Sequence, residues 1–125
     1  MATEKKRILI VDDAQFTRNL LTNMINKLDN VEICGEARNG KEAITQYKKL
    51  KPDLVTMDLV MPEMGGIEAI EDIIKQDKSA LIVVVSALGQ EALVLEAAKK
   101  GAKDFITKPF KQDQIFEVME RVLKN

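Results

Sequence analysis

The sequence predicts an α/β fold, a doubly wound five-stranded parallel sheet with five helices covering both faces. Strand-like and helix-like segments alternate along all 125 residues, with no repeat, low-complexity segment or linker between them. Such alternation is typical of parallel strands joined by right-handed crossover helices. Residues 8–11 and 81–85 are uninterrupted apolar runs, as expected of strands buried on both faces. The length suits one core, so we expect a single domain over residues 1–125 with no output domain.

The five predicted strands are short apolar segments, and each is followed by a segment with helical spacing. The segment over residues 60–66 contains Pro62 and two glycines, so it is expected to be a loop. The strands are expected at about residues 7–12, 31–35, 54–58, 81–85 and 104–107.

The five predicted helices carry apolar residues three and four positions apart. Asn39 is expected to cap the second helix, which ends near Leu50 because Pro52 disfavours the α conformation at Lys51. Gly101 is expected to close the fourth helix, over about 90–100, and the fifth helix covers about 112–123. The third helix contains Ile67, Ala69, Ile70, Ile73 and Ile74, and the first, over about 15–28, contains Phe16, Leu20, Leu21, Met24, Ile25 and Leu28.

The overall composition excludes several classes of partner. The chain has 19 basic and 20 acidic residues, so we expect no general attraction to nucleic acid or anionic membranes. No apolar run approaches the ~18–20 residues of a membrane span, and the N-terminal segment lacks the apolar stretch of a secretory signal. Cys34 is the only cysteine, so no internal disulfide can form, and we expect its thiol to be buried. These features indicate a cytoplasmic protein, which we expect to be a monomer.

The chain contains no histidine. This absence excludes histidine-based zinc sites, Ser-His-Asp catalysis and Cys-His catalysis within the chain. Any phosphohistidine that reacts with this protein must therefore belong to another molecule.

Polar side chains follow four of the predicted strands. Asp12 and Asp13 end the first strand, Asp58 the third and Ser86 the fourth, while Lys108 follows the fifth. The carboxyl ends of parallel strands meet at one edge of the sheet, where doubly wound folds bind their ligands. Three carboxylates at that edge suit Mg²⁺, a hard cation that prefers oxygen ligands. Each residue has a simpler explanation alone, namely a helix N-cap for the aspartate pair, a turn serine and a solvated lysine, so the combination carries the prediction.

Asp58 is the best candidate nucleophile of this set. It follows the apolar segment L-V-T-M and precedes a loop, so its carboxylate is expected to face the ligand crevice. Carboxylates form acyl phosphates in some enzymes, and a bound cation neutralises charge on an incoming phosphoryl group. Lys108 would supply a positive charge to one phosphoryl oxygen and Ser86 a hydrogen bond to another.

Four motifs together resemble the receiver domains of two-component response regulators. They are V-D-D at 11–13, M-D-L-V-M-P-E-M-G-G at 57–66, V-S-A at 85–87 and D-F-I-T-K-P-F at 104–110. The resemblance covers residues 7–123, and the chain is similar to the stand-alone chemotaxis type of receiver domain. It implies a flavodoxin-like sheet of order 2-1-3-4-5.

The resemblance also implies roles for individual residues. Asp58 would accept a phosphoryl group from a histidine kinase, and Asp13, Asp58 and the Val60 carbonyl would ligate Mg²⁺, with Asp12 acting mainly through water. Lys108 would pair with Asp58 or the phosphoryl group, and Ser86 would close on it while Phe105 turns inward. The Lys108–Pro109 bond would be cis, whereas sequence alone favours trans because only ~5–6% of such bonds are cis.

The resemblance places an output surface on helix four, strand five and helix five. Val94 and Val118, with Phe105 between them, would form a partly apolar contact patch, although ordinary exposed aliphatic residues would explain the same pattern. The expected partners are a chemotaxis-type histidine kinase, the flagellar motor switch and a possible phosphatase.

Other functions use the same fold or a single receiver domain. A single receiver domain can also serve as a phosphorelay intermediate or a phosphate sink, and the sequence does not separate these roles. A phosphatase with an aspartyl-phosphate intermediate would place its nucleophile in a D-x-D pattern at the first strand, where this chain has V-D-D-A. A flavin or nucleotide carrier would need a glycine-rich loop there, and the chain has D-D-A-Q-F-T. We therefore expect a signalling protein, limited to slow self-phosphorylation and autodephosphorylation, and not an enzyme.

Overall fold

The structure is a computed structural model that describes residues 4–124, so the first three residues and Asn125 of the predicted domain lie outside the described residues. Five strands alternate with five helices. The strands are β1 (Lys6–Val11), β2 (Val31–Ala37), β3 (Leu54–Asp58), β4 (Ile82–Ser86) and β5 (Asp104–Thr107). The helices are α1 (Gln15–Ile25), α2 (Gly40–Leu50), α3 (Gly66–Gln76), α4 (Glu91–Lys100) and α5 (Gln112–Leu123).

The sheet is parallel throughout and has the order β2-β1-β3-β4-β5. This confirms the predicted fold class and the strand order that the resemblance implied. Alternate side chains of β1, β3 and β4 enter two separate apolar layers, as the two-residue period of a strand requires. In β1, for example, Leu9 packs with α2 and α3 on one face, while Ile10 packs with α1 and α5 on the other.

Local sequence signals account for both ends of α2 and the end of α4. The Asn39 side chain accepts a hydrogen bond from the Glu42 amide at 2.9 Å, which confirms the predicted cap of α2. That helix ends at Leu50, where Lys51 takes a left-handed conformation with φ of 48°. Gly101 has φ of 124° and closes α4, a conformation that an L side chain rarely adopts.

Some boundaries and side chains differ from the prediction. Helix α1 ends at Ile25, three residues before the predicted end, and residues 26–28 are no longer helical. Strand β2 continues to Ala37, beyond the predicted end at residue 35. Phe16 is 78% exposed, although it was assigned to the apolar spacing of α1. Cys34 is only partly buried, so its expected burial was overstated.

Across residues 4–124, none of the helices combines the length and apolar character needed to cross a membrane.

Candidate functional site

The register of the sheet brings the predicted polar groups to one edge. Val11 pairs with Met57, so the residues that follow β1 lie beside the end of β3. Asp58 pairs with Val85, and Ser86 pairs with Thr107. The carboxyl ends of β1, β3, β4 and β5 therefore line one crevice, as the parallel sheet predicted.

Three carboxylates form the centre of this crevice. Three carboxylate oxygens lie within 4.8 Å of one another, one each from Asp12, Asp13 and Asp58. Asp12 and Asp58 are buried, whereas Asp13 is exposed. Burial, followed by the negative charge of Asp12, raises the pKa of Asp58 from its usual 3.8 to about 6. Clustered oxygen ligands whose charges repel one another fit a divalent cation such as Mg²⁺.

The Lys108 ammonium contacts the carboxylates of this cluster. Its Nζ donates a hydrogen bond to Asp12 Oδ2 at 3.1 Å and lies 3.7 Å from Asp58 Oδ1. The positive charge opposes the effects of burial and lowers the pKa of Asp58. The Lys108 side chain is 27% exposed, so it is not an ordinary solvated lysine. The Lys108–Pro109 peptide bond is cis, as the resemblance implied and contrary to the preference of the sequence alone.

The aspartate pair is not the cap of the first helix. Helix α1 begins at Gln15 and has Ala14 at its N-cap position, without a side-chain cap. Asp12 Oδ1 instead accepts a hydrogen bond from the Ala14 amide at 2.9 Å, which shapes the turn that carries Asp13. The structure thus excludes the capping explanation for the pair.

The predicted switch residues lie on β4 and β5, next to the strands that carry the acidic cluster. Ser86 is buried at the end of β4, while the Phe105 ring on β5 is 51% exposed. Both residues border a groove of about 360 Å³ between α4 and β5, which Val94 and Leu95 also line. Val60, the predicted carbonyl ligand, lies in the loop after β3 with an exposed side chain. The roles assigned to these residues stay predictions.

The predicted exposure of Val118 is wrong. Its side chain is only 5% exposed and packs in the apolar layer that α5 forms against the sheet. The sequence interpretation placed Ile115, Met119 and Val122 on the inner face and excluded Val118. A helix also brings positions three apart to one face, and Val118 lies three residues after Ile115. Val118 therefore belongs to the core and cannot contribute to a contact patch.

Sequence reasoning missed two residues that support the site. Arg18 on α1 is buried, and its Nη1 donates a hydrogen bond to the Asp12 carbonyl at 2.7 Å. Its spacing of three and seven residues from Leu21 and Ile25 was a signal of an inward position. Gly66, the first residue of α3, packs directly on the backbone of Asp58, and a Cβ there would overlap the Asp58 carbonyl oxygen. The sequence shows the pair of glycines at 65–66 but carries no signal of this contact.

Comparison with known proteins establishes the family. Residues 8–120 match the response regulator receiver domain. The chain belongs to the response regulator receiver domain family. This receiver domain is 56% identical over 119 residues to chemotaxis protein CheY of Thermotoga maritima, covering 95% of this chain and 98% of that protein. It is 47% identical over 117 residues to chemotaxis protein CheY of Bacillus subtilis, covering 94% and 97%.

Solved structures agree with this assignment. The receiver domain is similar to the crystal structure of the CheX–CheY–BeF₃–Mg²⁺ complex from Borrelia burgdorferi, with a TM-score of 0.90 at 37% identity. The match covers 96% of this chain and 90% of that one. The receiver domain is thus a homologue of CheY, a phosphorylation-activated chemotaxis switch, and it carries the acidic cluster.

Proposed function

We propose that this receiver domain takes a phosphoryl group onto Asp58 from a phosphohistidine of a chemotaxis-type histidine kinase. The observation that carries the proposal is the buried Asp58 carboxylate, set between two further carboxylates and the Lys108 ammonium. Because the chain contains no histidine, the donor is another molecule. This gives a signalling protein whose own chemistry is limited to slow self-phosphorylation and autodephosphorylation.

The transfer is a substitution at phosphorus. An oxygen of the Asp58 carboxylate attacks the phosphorus atom, and the phosphorus–nitrogen bond breaks as the electron pair returns to the histidine ring. The attack requires an ionised carboxylate, and a pKa of about 6 leaves Asp58 mostly ionised at neutral pH. Lys108, 3.7 Å from Asp58 Oδ1, offers its ammonium to a phosphoryl oxygen.

The same acidic cluster supplies most of the residues that would hold a metal ion. We propose that Asp13, Asp58 and the Val60 carbonyl hold Mg²⁺, with Asp12 acting mainly through water. Asp12 is suited to this indirect role because its two carboxylate oxygens already accept hydrogen bonds, from the Ala14 amide and from Lys108. When bound, Mg²⁺ supplies positive charge that offsets the repulsion between the carboxylates and the phosphoryl oxygens.

The output surface is proposed to be the groove between α4 and β5. Phosphorylation adds about −1.5 to −2 charge beside Ser86, and Ser86 borders the groove together with Phe105 and Val94. Inward rotation of the exposed Phe105 ring would change the shape of this groove, which gives the switch its two states. The CheX–CheY complex of the similar structure supports contact with a partner protein. We include in this proposal the flagellar motor switch as target and a phosphatase as further partner. It also includes a cytoplasmic location and a monomeric state.

Intact-mass spectrometry after incubation with acetyl phosphate tests the proposal. We expect one phosphoryl adduct on the native chain in the presence of Mg²⁺, and none with a chelator or in Asp58→Asn. Asp72→Asn is the matched control, because Asp72 lies exposed on α3 and should be labelled like the native chain. Labelling that persists in a folded Asp58→Asn variant would contradict the proposed acceptor.

A further inference from the structure

We propose that Arg18 is a positioning residue for the acidic cluster. Its guanidinium group fixes the peptide group between Asp12 and Asp13, and this holds the Asp13 carboxylate where it can bind a divalent cation. The inference rests on the proposed function, because it concerns the metal that assists the phosphoacceptor. It adds a residue that lies outside the four motifs of the sequence and contributes no ligand atom of its own.

The contacts of Asp12 show why its carbonyl matters. The Asp12 amide donates to the Ala37 carbonyl at 3.1 Å, while its carboxylate accepts from the Ala14 amide and from Lys108. The remaining polar group is the Asp12 carbonyl, which accepts from Arg18 Nη1 at 2.7 Å. This carbonyl belongs to the peptide group that contains the Asp13 nitrogen. Arg18 therefore completes the hydrogen bonds that orient the peptide leading to Asp13.

Arg18 is itself held in place by a second strand. Its Nε donates to Glu36 Oε1 at 2.7 Å, and Glu36 lies on β2. Because two nitrogens of one planar group bind the two partners, their relative positions are fixed by covalent geometry. A lysine has a single ammonium on a flexible chain and cannot reproduce this fork.

The location of Arg18 is unfavourable for a purely stabilising role. Its side chain is 9% exposed and lies on the same face of α1 as Leu21 and Ile25, where an apolar residue would pack without desolvating a charge. Its partner Glu36 is 43% exposed, and an ion pair with a solvent-exposed partner contributes little to stability. The charge is therefore better explained by the peptide group that it orients than by the stability of the fold.

The direction of the effect on Mg²⁺ affinity separates positioning from simple electrostatics. Arg18 carries a positive charge next to the acidic cluster, so its removal alone would strengthen the binding of a cation. If Arg18 positions Asp13, its removal weakens binding in spite of that gain. Residues that orient metal ligands typically change affinity by ~10–100-fold when mutated, so a loss of about tenfold is expected.

The experiment compares Mg²⁺ affinity by calorimetry in the native chain, Arg18→Met and Arg18→Lys. Arg121→Met is the matched control, since Arg121 Nε forms a 2.6 Å ion pair with Asp104 at the start of β5, opposite the acidic crevice. A second readout, without metal, is the backbone order parameter of Asp13 from ¹⁵N relaxation. We expect weaker Mg²⁺ binding in Arg18→Met, incomplete recovery in Arg18→Lys, and an Asp13 order parameter that falls from about 0.85 toward about 0.6.

The possible outcomes distinguish this inference from the proposed function. Equal or tighter Mg²⁺ binding by folded Arg18→Met, with an unchanged Asp13 order parameter, would overturn the role of Arg18. If Arg18→Met does not fold, Arg18→Lys keeps the positive charge and removes only the fork of donors; native Mg²⁺ affinity with a native Asp13 order parameter in that variant would also overturn it. A native chain that binds Mg²⁺ but takes no phosphoryl group contradicts only the proposed function.

Discussion

Ionised Asp58 destabilises the metal-free protein, and substitution by asparagine should remove this effect. The pKa of Asp58 rises from 3.8 to about 6 because the carboxylate is buried and faces the charge of Asp12. The folded state therefore binds the proton more tightly than the unfolded state. Stability from this group is fully present below about pH 3.8 and is lost as the pH rises through about 6.

The size of the effect follows from the same values. The rise in the pKa of Asp58 from 3.8 to about 6 corresponds to roughly 3 kcal/mol of unfolding free energy, which is lost as the pH rises through this range. Asparagine has the shape of the acid but no charge, so Asp58→Asn should be more stable than the native chain by up to about 3 kcal/mol at pH 8, with the difference shrinking toward pH 4.5.

Urea unfolding followed by far-ultraviolet circular dichroism, with a chelator present, measures this difference at several pH values. Asp72→Asn serves as an exposed control and should show little pH-dependent difference from the native chain. Saturating Mg²⁺ should stabilise the native chain, by about 2.7 kcal/mol at a hundred times the dissociation constant, and so offset the advantage of the variant. A native chain more stable than Asp58→Asn at pH 8 without metal, or a difference independent of pH, would refute the reasoning.

Three further substitutions give expectations of different sign. Lys108→Met should bind Mg²⁺ more tightly by calorimetry, because an ammonium group 3.7 Å from Asp58 Oδ1 is removed, yet it should be labelled more slowly by acetyl phosphate. Thr56→Val should raise the unfolding free energy by about 1–2 kcal/mol, because the buried Thr56 hydroxyl has no hydrogen-bond partner within residues 4–124. Gly66→Ala should lower the unfolding free energy by about 1–3 kcal/mol and slow labelling, since its Cβ would displace the Asp58 carbonyl.

Two of these expectations have a control variant within the chain. Val83→Thr introduces a hydroxyl into the strand position that pairs with Thr56 and should be destabilising, so stabilisation by both exchanges would contradict the argument. Gly35→Ala is the control for Gly66, because its Cβ would meet side chains and no backbone, the nearest atom being the flexible end of Leu50 at 2.6 Å. Similar labelling of the two alanine variants would show that close packing beneath Asp58 is unimportant. Weaker Mg²⁺ binding by Lys108→Met would contradict the charge argument.

The sequence predicted the sheet well because buried parallel strands have a direct signal. Continuous apolar runs marked β1 and β4, and Asn39 marked the start of α2, since each depends on neighbouring residues only. Strand order could not be obtained from the residues themselves and came from the resemblance. The exposure of Phe16 and the burial of Val118 depend on the rotation of α1 and α5 against the sheet.

The meeting of the acidic residues could also be predicted from the sequence, because it depends on the parallel sheet. Parallel strands all end at one edge, so polar residues at the ends of β1 and β3 had to meet there, as Asp12 and Asp58 do. The contact of Arg18 with the Asp12 carbonyl joins α1 to the end of β1, and its bond to Glu36 extends to β2. Neither bond has a local sequence signal beyond the inward spacing of Arg18, so the structure was needed to find them.

The most direct test of the central claim is to locate the phosphoryl group on the chain. Sodium borohydride reduces an acyl phosphate to an alcohol, so a phosphorylated aspartate becomes homoserine, which peptide mass spectrometry can place. After incubation with acetyl phosphate and Mg²⁺, we expect homoserine at position 58 and aspartate at positions 12 and 13. Homoserine at either of those two positions, or none in a protein that carries the phosphoryl mass, would contradict the assignment of Asp58 as the phosphoacceptor.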